Sequence, residues 1–220
     1  VLAATNANDT TGLSLLATSN IFKTKVTGFE KLEITNAITA ATTVNVGNLG
    51  FNYVVTNANT ALLTLADMAN NGTVELNGIS SGGTTVLVKD AGLVGSTTDV
   101  LNVIANVANA GVNNGTLTAA NVETINITAT DSTPIDDNEL SPTFGDATIN
   151  ESTLALVATS ATAVTVTGNA NLILNNSVTN VNVTSIDAST LTGNLTVTSY
   201  NTTTSATIKG GSGNDTLTAD

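Results

Sequence analysis

Short stretches that alternate apolar residues with Thr, Asn or Glu recur along this chain, and that two-residue period leaves few folds open. Residues 31–35, 43–46, 73–76, 84–88, 124–128, 164–167 and 194–198 all carry it. Successive side chains of a strand leave opposite faces, so each stretch has one face to bury and one to leave wet. Gly-Asn, Asn-Ala and Asn-Gly pairs separate the stretches and supply the positive-φ positions that turns require. Helical periodicity is weak, and residues 62–70 and 100–110 are the best candidates for a turn or two of helix. Aromatic residues make up 3% of the 220 and Trp is absent, so the core must be aliphatic. At 41% hydrophobic and rich in β-branched residues, the composition is that of a folding chain, not a disordered one.

A longer repeat overlies the short one. Gly47-Asn48 follows Val44-Asn45-Val46 as Gly168-Asn169 follows Val164-Thr165-Val166-Thr167. Asp67 matches Asp187 and Lys89 matches Lys209, both pairs 120 residues apart. Upstream, Glu30 in residues 29–35 matches Glu123 in residues 122–128 at a separation of 93. The offset grows by 27 residues, which is expected as an insertion between Thr128 and Val164. That interval holds both prolines, Pro134 and Pro142, and the acids Asp131, Asp136, Asp137, Glu139, Asp146 and Glu151. The expected organisation is a first β module at 1–98 and a second at 99–214 with an acidic, Pro-containing insertion near 131–160. Residues 215–220 then begin a third, truncated repeat.

The expected fold is all-β, a solenoid of short strands stacked in parallel and built of two related modules. Few Asn-Gly hairpin signals and a low aromatic content favour it over the alternative, β-sandwich modules. The first residues, Val1 to Asn6, lack the basic start of a signal peptide, and the sequence reads as a piece of a longer protein.

Charge and missing residue types exclude several functions. Seventeen acids against five Lys and no Arg give a net charge of −12. Nucleic-acid binding needs a basic surface, and an anionic membrane would repel this one. No run approaches the roughly 20 apolar residues of a membrane span. Without Cys or His there are no disulfides, thiol nucleophiles, imidazole bases or ordinary zinc sites. No nucleophile elbow, phosphate loop or metalloprotease motif is present, so the chain reads as a non-enzyme. A surface rich in acids does suit Ca²⁺, which prefers carboxylate and carbonyl oxygens.

The sharpest motif is Gly210-Gly211-Ser212-Gly213-Asn214-Asp215-Thr216-Leu217-Thr218, which fills every position of the calcium-binding nonapeptide G-G-x-G-x-D-x-U-x. Its glycines turn the chain and leave carbonyls free, Asp215 adds a carboxylate, and Leu217 belongs on a short strand facing the core. The plainer reading is a Gly-rich turn before a strand. One copy makes only part of a site, since stacked turns share the ligands. Residues 89–99 read as the equivalent stretch with its glycines lost but Asp90 and Asp99 kept. Asp136, Asp137 and Glu139 form a further candidate set, against the more common outcome of a solvated acidic loop. Asp67 and Asp187 read as turn caps, and the scattered Thr-x-Thr pairs as exposed strand positions.

Residues 164–172, 184–189 and 207–215 follow an order that resembles type I-secreted bacterial surface-layer (S-layer) proteins of the RTX kind. Val122-Glu123-Thr124-Ile125-Asn126-Ile127 belongs to the same pattern. The resemblance covers the second module well and the first loosely, and the insertion departs from it. It implies a right-handed parallel β-helix with Ca²⁺ along the solenoid, Gly211, Gly213 and Asp215 being the ligand positions that carry over. It also implies secretion, an extracellular location, and calcium-driven self-association into a cell-surface lattice. An RTX-type adhesin, using such modules as a stalk below a distal binding domain, is the alternative. Any contact with cell-surface polysaccharide would pass through parts outside these 220 residues.

Overall fold

The computed structural model describes residues 1–4, 12–15, 17–107, 111–132, 149–202 and 205–219. Within them lie two sheets. The first runs β1 (Leu2–Ala4), β2 (Leu32–Ile34), β4 (Tyr53–Thr56), β6 (Gly72–Asn77), β8 (Val100–Val107), β10 (Thr124–Asp131), β12 (Ala163–Gly168), β14 (Ser185–Leu191) and β16 (Thr207–Lys209). The second runs β3 (Thr42–Asn45), β5 (Leu63–Met68), β7 (Thr84–Val88), β9 (Val112–Thr118), β11 (Glu151–Val157), β13 (Asn171–Asn176), β15 (Leu195–Ser199) and β17 (Thr216–Ala219). From β2 onward the chain visits the sheets alternately, so one strand of each makes a rung. Every strand pairing among the described residues is parallel. The molecule is a parallel β-helix, not a sandwich of hairpins.

The two-residue period builds it. Inward positions stack into apolar columns, one of them Leu32, Val54, Val74, Val103, Ile127 and Val166. Their outward neighbours form polar rows such as Tyr53, Thr73, Asn102, Asn126, Thr165, Asp187 and Lys209. The columns of both sheets meet in one core of Val, Leu, Ile and Ala, with Phe51 and Met68 its larger exceptions. Each fully buried aliphatic side chain there contributes about 1.5–3 kcal/mol.

Residues 62–70 and 100–107 do not form helix; they hold β5 and β8, and residues 108–110 fall outside the described residues. Apolar residues at outward positions, Ala66 in β5 and Val100 and Ile104 in β8, blur the alternation into an apparent helical spacing. Among the described residues helix is confined to short pieces: residues 12–15, α1 (Ile21–Lys25) and α2 (Val46–Leu49). Asn45 caps α2 by accepting from the Asn48 amide at 2.8 Å, and Gly50, at φ 86°, ends it. The segment before α1 lies on the free side of β3. Ser14 Oγ donates to the Thr43 carbonyl at 2.6 Å, and Asn48 Nδ2 to the Ala17 carbonyl at 2.9 Å.

The long repeat has a definite geometry. The 93-residue offset carries β2 onto β10 within the first sheet. The 120-residue offset carries β3, β5 and β7 onto β12, β14 and β16, from the second sheet to the first. The two offsets thus differ by half a rung, and β11 is the strand with no counterpart. Asp67 and Asp187 both lie in bulges. Leu65 to Met68 spans three residues against two in Val86 to Val88, and Asp187 to Thr190 three against two in Thr165 to Thr167. The extra length lies between β10 and β11, because Ile127 sits beside Val166, 39 residues on, where Val164 sits beside Ile186, 22 on. Asp136, Asp137 and Glu139 fall there, outside the described residues. The first sheet runs unbroken across the 98/99 boundary, β6 pairing with β8, and β17 completes the rung that β16 opens.

Close stacking makes some glycines irreplaceable. Gly168 has φ 115°, and a Cβ there would run into the Ala129 carbonyl, whereas Gly28 at φ 83° faces open space. Gly28→Ala should cost about 1 kcal/mol for backbone conformation alone. Gly168→Ala should cost at least about 2 kcal/mol in urea denaturation. Equal losses would show that rung contact adds nothing.

Candidate functional site

At one edge of the solenoid the chain crosses from the first sheet to the second. In three successive rungs this corner reads Asn169-Ala170-Asn171, Thr192-Gly193-Asn194 and Ser212-Gly213-Asn214. The Asn194 amide donates to Asn171 Oδ1 at 2.8 Å, and the Asn214 amide to Asn194 Oδ1 at 2.7 Å. Each asparagine side chain therefore satisfies the turn amide of the next rung. The glycines follow from the same stacking. A Cβ on Gly193 would strike the Ala170 carbonyl, and one on Gly213 the Gly193 carbonyl. With rungs about 4.8 Å apart, only glycine lets the turn pass so close.

Asp215 closes the Gly-rich turn. Its Oδ1 accepts from the Leu195 amide of the preceding rung at 2.8 Å, and its Oδ2 accepts from the Gly211 amide at 2.8 Å. A Cβ on Gly210 would occupy the place of that Oδ2, and one on Gly211 would strike the Leu191 carbonyl. Leu217 continues the inward column from Val197 and is 37% exposed. The nonapeptide pattern is thus a stacking corner in which every marked residue has a structural task. It also retains oxygen for a cation. Among the described backbone hydrogen bonds outside the sheet ladders none ends on the Gly213 carbonyl, while the Gly211 carbonyl holds the place of the Leu191 carbonyl one rung back, which accepts from the Ser212 amide at 3.0 Å. A carboxylate has about four lone-pair sites, of which Asp215 commits two to amides. Ca²⁺ takes six to eight oxygens, so Gly211, Gly213 and Asp215 fit part of a shell that a second turn must complete.

Asp90 and Asp99 lie elsewhere. They belong to the turn from β7 to β8, which crosses from the second sheet to the first, at the opposite corner from Gly210–Asp215. Asp90 is exposed, with φ 62°. Asp99 is only 4% exposed: its Oδ2 accepts from Ser96 Oγ, and its amide donates to Glu123 Oε2 at 2.9 Å. The half-rung slip in the repeat explains why stretches that look equivalent in sequence lie on opposite edges. Among the described residues, no three of His, Cys, Asp or Glu converge as metal ligands.

Sequence reasoning missed a set of interior amides. Asn180, fully buried, fills the turn between β13 and β14. Its Oδ1 accepts from the Ala158 amide at 2.8 Å, and its Nδ2 donates to the Leu156 carbonyl at 3.0 Å and to Asn176 Oδ1 at 2.7 Å. Asn114 donates to the Leu76 carbonyl at 2.9 Å and pairs with Ser152 Oγ. Asn176 and Ser152 occupy inward strand positions, so a polar residue out of phase was the available signal. On the outer face Tyr53 donates to Glu75 Oε2 at 2.6 Å, and Lys31 sits 3.9 Å from the Tyr53 ring centre. Burial, then the bond to Glu75, pushes the Tyr53 phenol above its usual pKa.

Asp67 and Asp187 do not cap turns: they lie inside β5 and β14, and Asp187 uses its side chain within the β14 bulge. Its Oδ1 accepts from the Ser189 amide at 3.0 Å and its Oδ2 from Lys209 Nζ at 3.1 Å. Hydrogen bonds from Ser189, then Lys209, lower its pKa to about 2. A carboxyl depressed on folding stabilises fully above its unfolded pKa of 3.8, and that stability is lost as pH falls toward about 2. NMR titration should place the Asp187 midpoint near 2, and Lys209→Met should raise it. An unshifted midpoint would refute these hydrogen bonds. Asp215→Ala should lose about 1–3 kcal/mol even in chelator, because the amides of Leu195 and Gly211 lose their acceptor. No loss without calcium would leave Asp215 as a metal ligand only. No protein-family model matches this chain, and a search of the curated proteins finds no match for it either.

Proposed function

We propose that this chain is a structural module of a bacterial cell-surface protein, a calcium-dependent component of a self-assembled S-layer. The observation that supports the reading is the Gly211–Gly213–Asp215 corner. It offers part of a calcium shell that another stacked turn would fill. Oxygen ligands from a single turn fall short of six, whereas a second turn stacked about 4.8 Å away brings its own carbonyls and carboxylate. In this reading Ca²⁺ is the resident ion, other copies of the protein are the partners, the location is extracellular, and there is no catalytic role. The linear stack of rungs also suits an adhesin stalk. Imaging of the parent cell surface separates the two, since only the lattice gives a periodic coat.

A net charge of −12 strains the compact state by self-repulsion, and an ion bound only by the native state relieves it. Binding stabilises by about 2.7 kcal/mol at a hundredfold excess over Kd. Melting in millimolar Ca²⁺ should therefore occur above melting in chelator, with Mg²⁺ well behind, and Asp215→Ala should lose part of the difference. Identical curves in Ca²⁺, Mg²⁺ and chelator would reject calcium as the organising ion. Equal responses to Ca²⁺ and Mg²⁺ would reduce the effect to charge screening.

A further inference from the structure

The two outer faces of the solenoid differ in charge. Strands of the first sheet carry Glu33, Glu75, Asp131, Asp187 and Lys209. Strands of the second carry Asp67, in a bulge near the end of β5, and Glu151, the first residue of β11. The rows between those ends are neutral. Thr43, Thr64, Thr85 and Thr118 stand in register across four strands, and Ile173, Thr196 and Thr216 across three. Leu87 lies outward on the same face and is 44% exposed.

We propose that the outer face of the second sheet is the surface through which one copy of this chain packs on another. The inference rests on the self-assembly reading above and names the surface involved. Two chains at −12 repel one another, and the repulsion between exposed charges is felt over a Debye length of about 8 Å in physiological salt. Close approach is least opposed where each copy presents least charge, here Asp67 and Lys89 toward one margin and Glu151 at the start of β11, with neutral rows between. A face meeting its own copy about a two-fold axis must be self-complementary, and rows of Thr with scattered aliphatics meet that condition. Threonine offers both a hydroxyl that donates and accepts and a methyl for contact.

The area suffices. Eight strands give seven spacings of about 4.8 Å, and about five residues of roughly 3.3 Å give the width, so the face measures about 34 by 17 Å. Two copies would bury about 1,200 Å², the lower end of specific protein interfaces.

Sedimentation equilibrium in millimolar Ca²⁺ tests the proposal. Thr85→Glu and Thr196→Glu place charge on the second sheet, and Thr73→Glu and Thr165→Glu place it on the outer row of the first. The first pair should weaken self-association at least tenfold and the second less than twofold. The chain has no cysteine, so Leu87→Cys with a short bis-maleimide gives an independent readout even if a Glu variant unfolds. Leu87→Cys should cross-link into dimers, and Thr73→Cys should not. Association that ignores the second-sheet charges, or equal cross-linking from both cysteines, overturns this inference alone. A chain that stays monomeric at all concentrations overturns the self-assembly reading as well.

Discussion

Parallel stacking at about 4.8 Å per rung is the constraint on which the rest of this structure depends. It turns every sequence position into a member of a column, so a residue is selected by the two above and below it as much as by its strand. Inward columns accept aliphatic side chains that nest on their own kind. Turns must nest too, and the backbone then passes within touching distance of the previous rung. That closeness explains Gly193 and Gly213, whose missing Cβ atoms would collide with carbonyls one rung back. It also explains Asn171 and Asn194, whose side chains reach the amide one rung on.

Much of the fold was legible because strand alternation is a local signal. The seven alternating stretches all lie on or within a residue or two of strands, and the bulges at Asp67 and Asp187 fall at matched repeat positions. What sequence could not convey was which sheet each strand joins. The inward phase of β5 looks the same in sequence as the inward phase of β14, yet the two lie in opposite sheets. An offset that changes by 27 residues signals an insertion but not that it adds half a turn. Strands with apolar residues on both faces, β5 and β8, mimicked helix for the same reason: their outer faces sit on a surface that is itself partly apolar.

The candidate site was legible as a motif and less so as a geometry. Gly211, Gly213 and Asp215 do share one corner, but Asp215 spends an oxygen on each of two amides, a role that the pattern of residue types does not reveal. Asp90 and Asp99 satisfied the same pattern in degenerate form and belong to the opposite corner. The buried amides of Asn114 and Asn176 could have been suspected from their phase within strands, but that of Asn180, in a turn, could not. Their partners, carbonyls 22 to 38 residues away, are fixed only by rung registry.

Stacking also decides where an acidic chain can keep its acids. Two carboxylates about 4.8 Å apart repel by about 1 kcal/mol even in bulk water, and by several times that near a protein surface. A row of them would oppose the fold at every rung. The registers avoid it: Glu33 lies between Ala3 and Val55, Glu75 between Val55 and Ile104, and Asp187 between Thr165 and Lys209. Neutral ladders take the remaining places, as where Asn126 Nδ2 donates to Asn102 Oδ1 at 3.0 Å and the Thr128 and Thr167 hydroxyls meet at 3.2 Å. At a corner, turn amides and hydroxyls point at carboxylates: the Asp99 amide donates to Glu123 Oε2 at 2.9 Å, and Ser96 Oγ donates to the Asp99 carboxylate. Corners are also where carbonyls escape the sheet ladders. A cation that needs several oxygens can gather them only there, and the faces are left to contacts that need no charge.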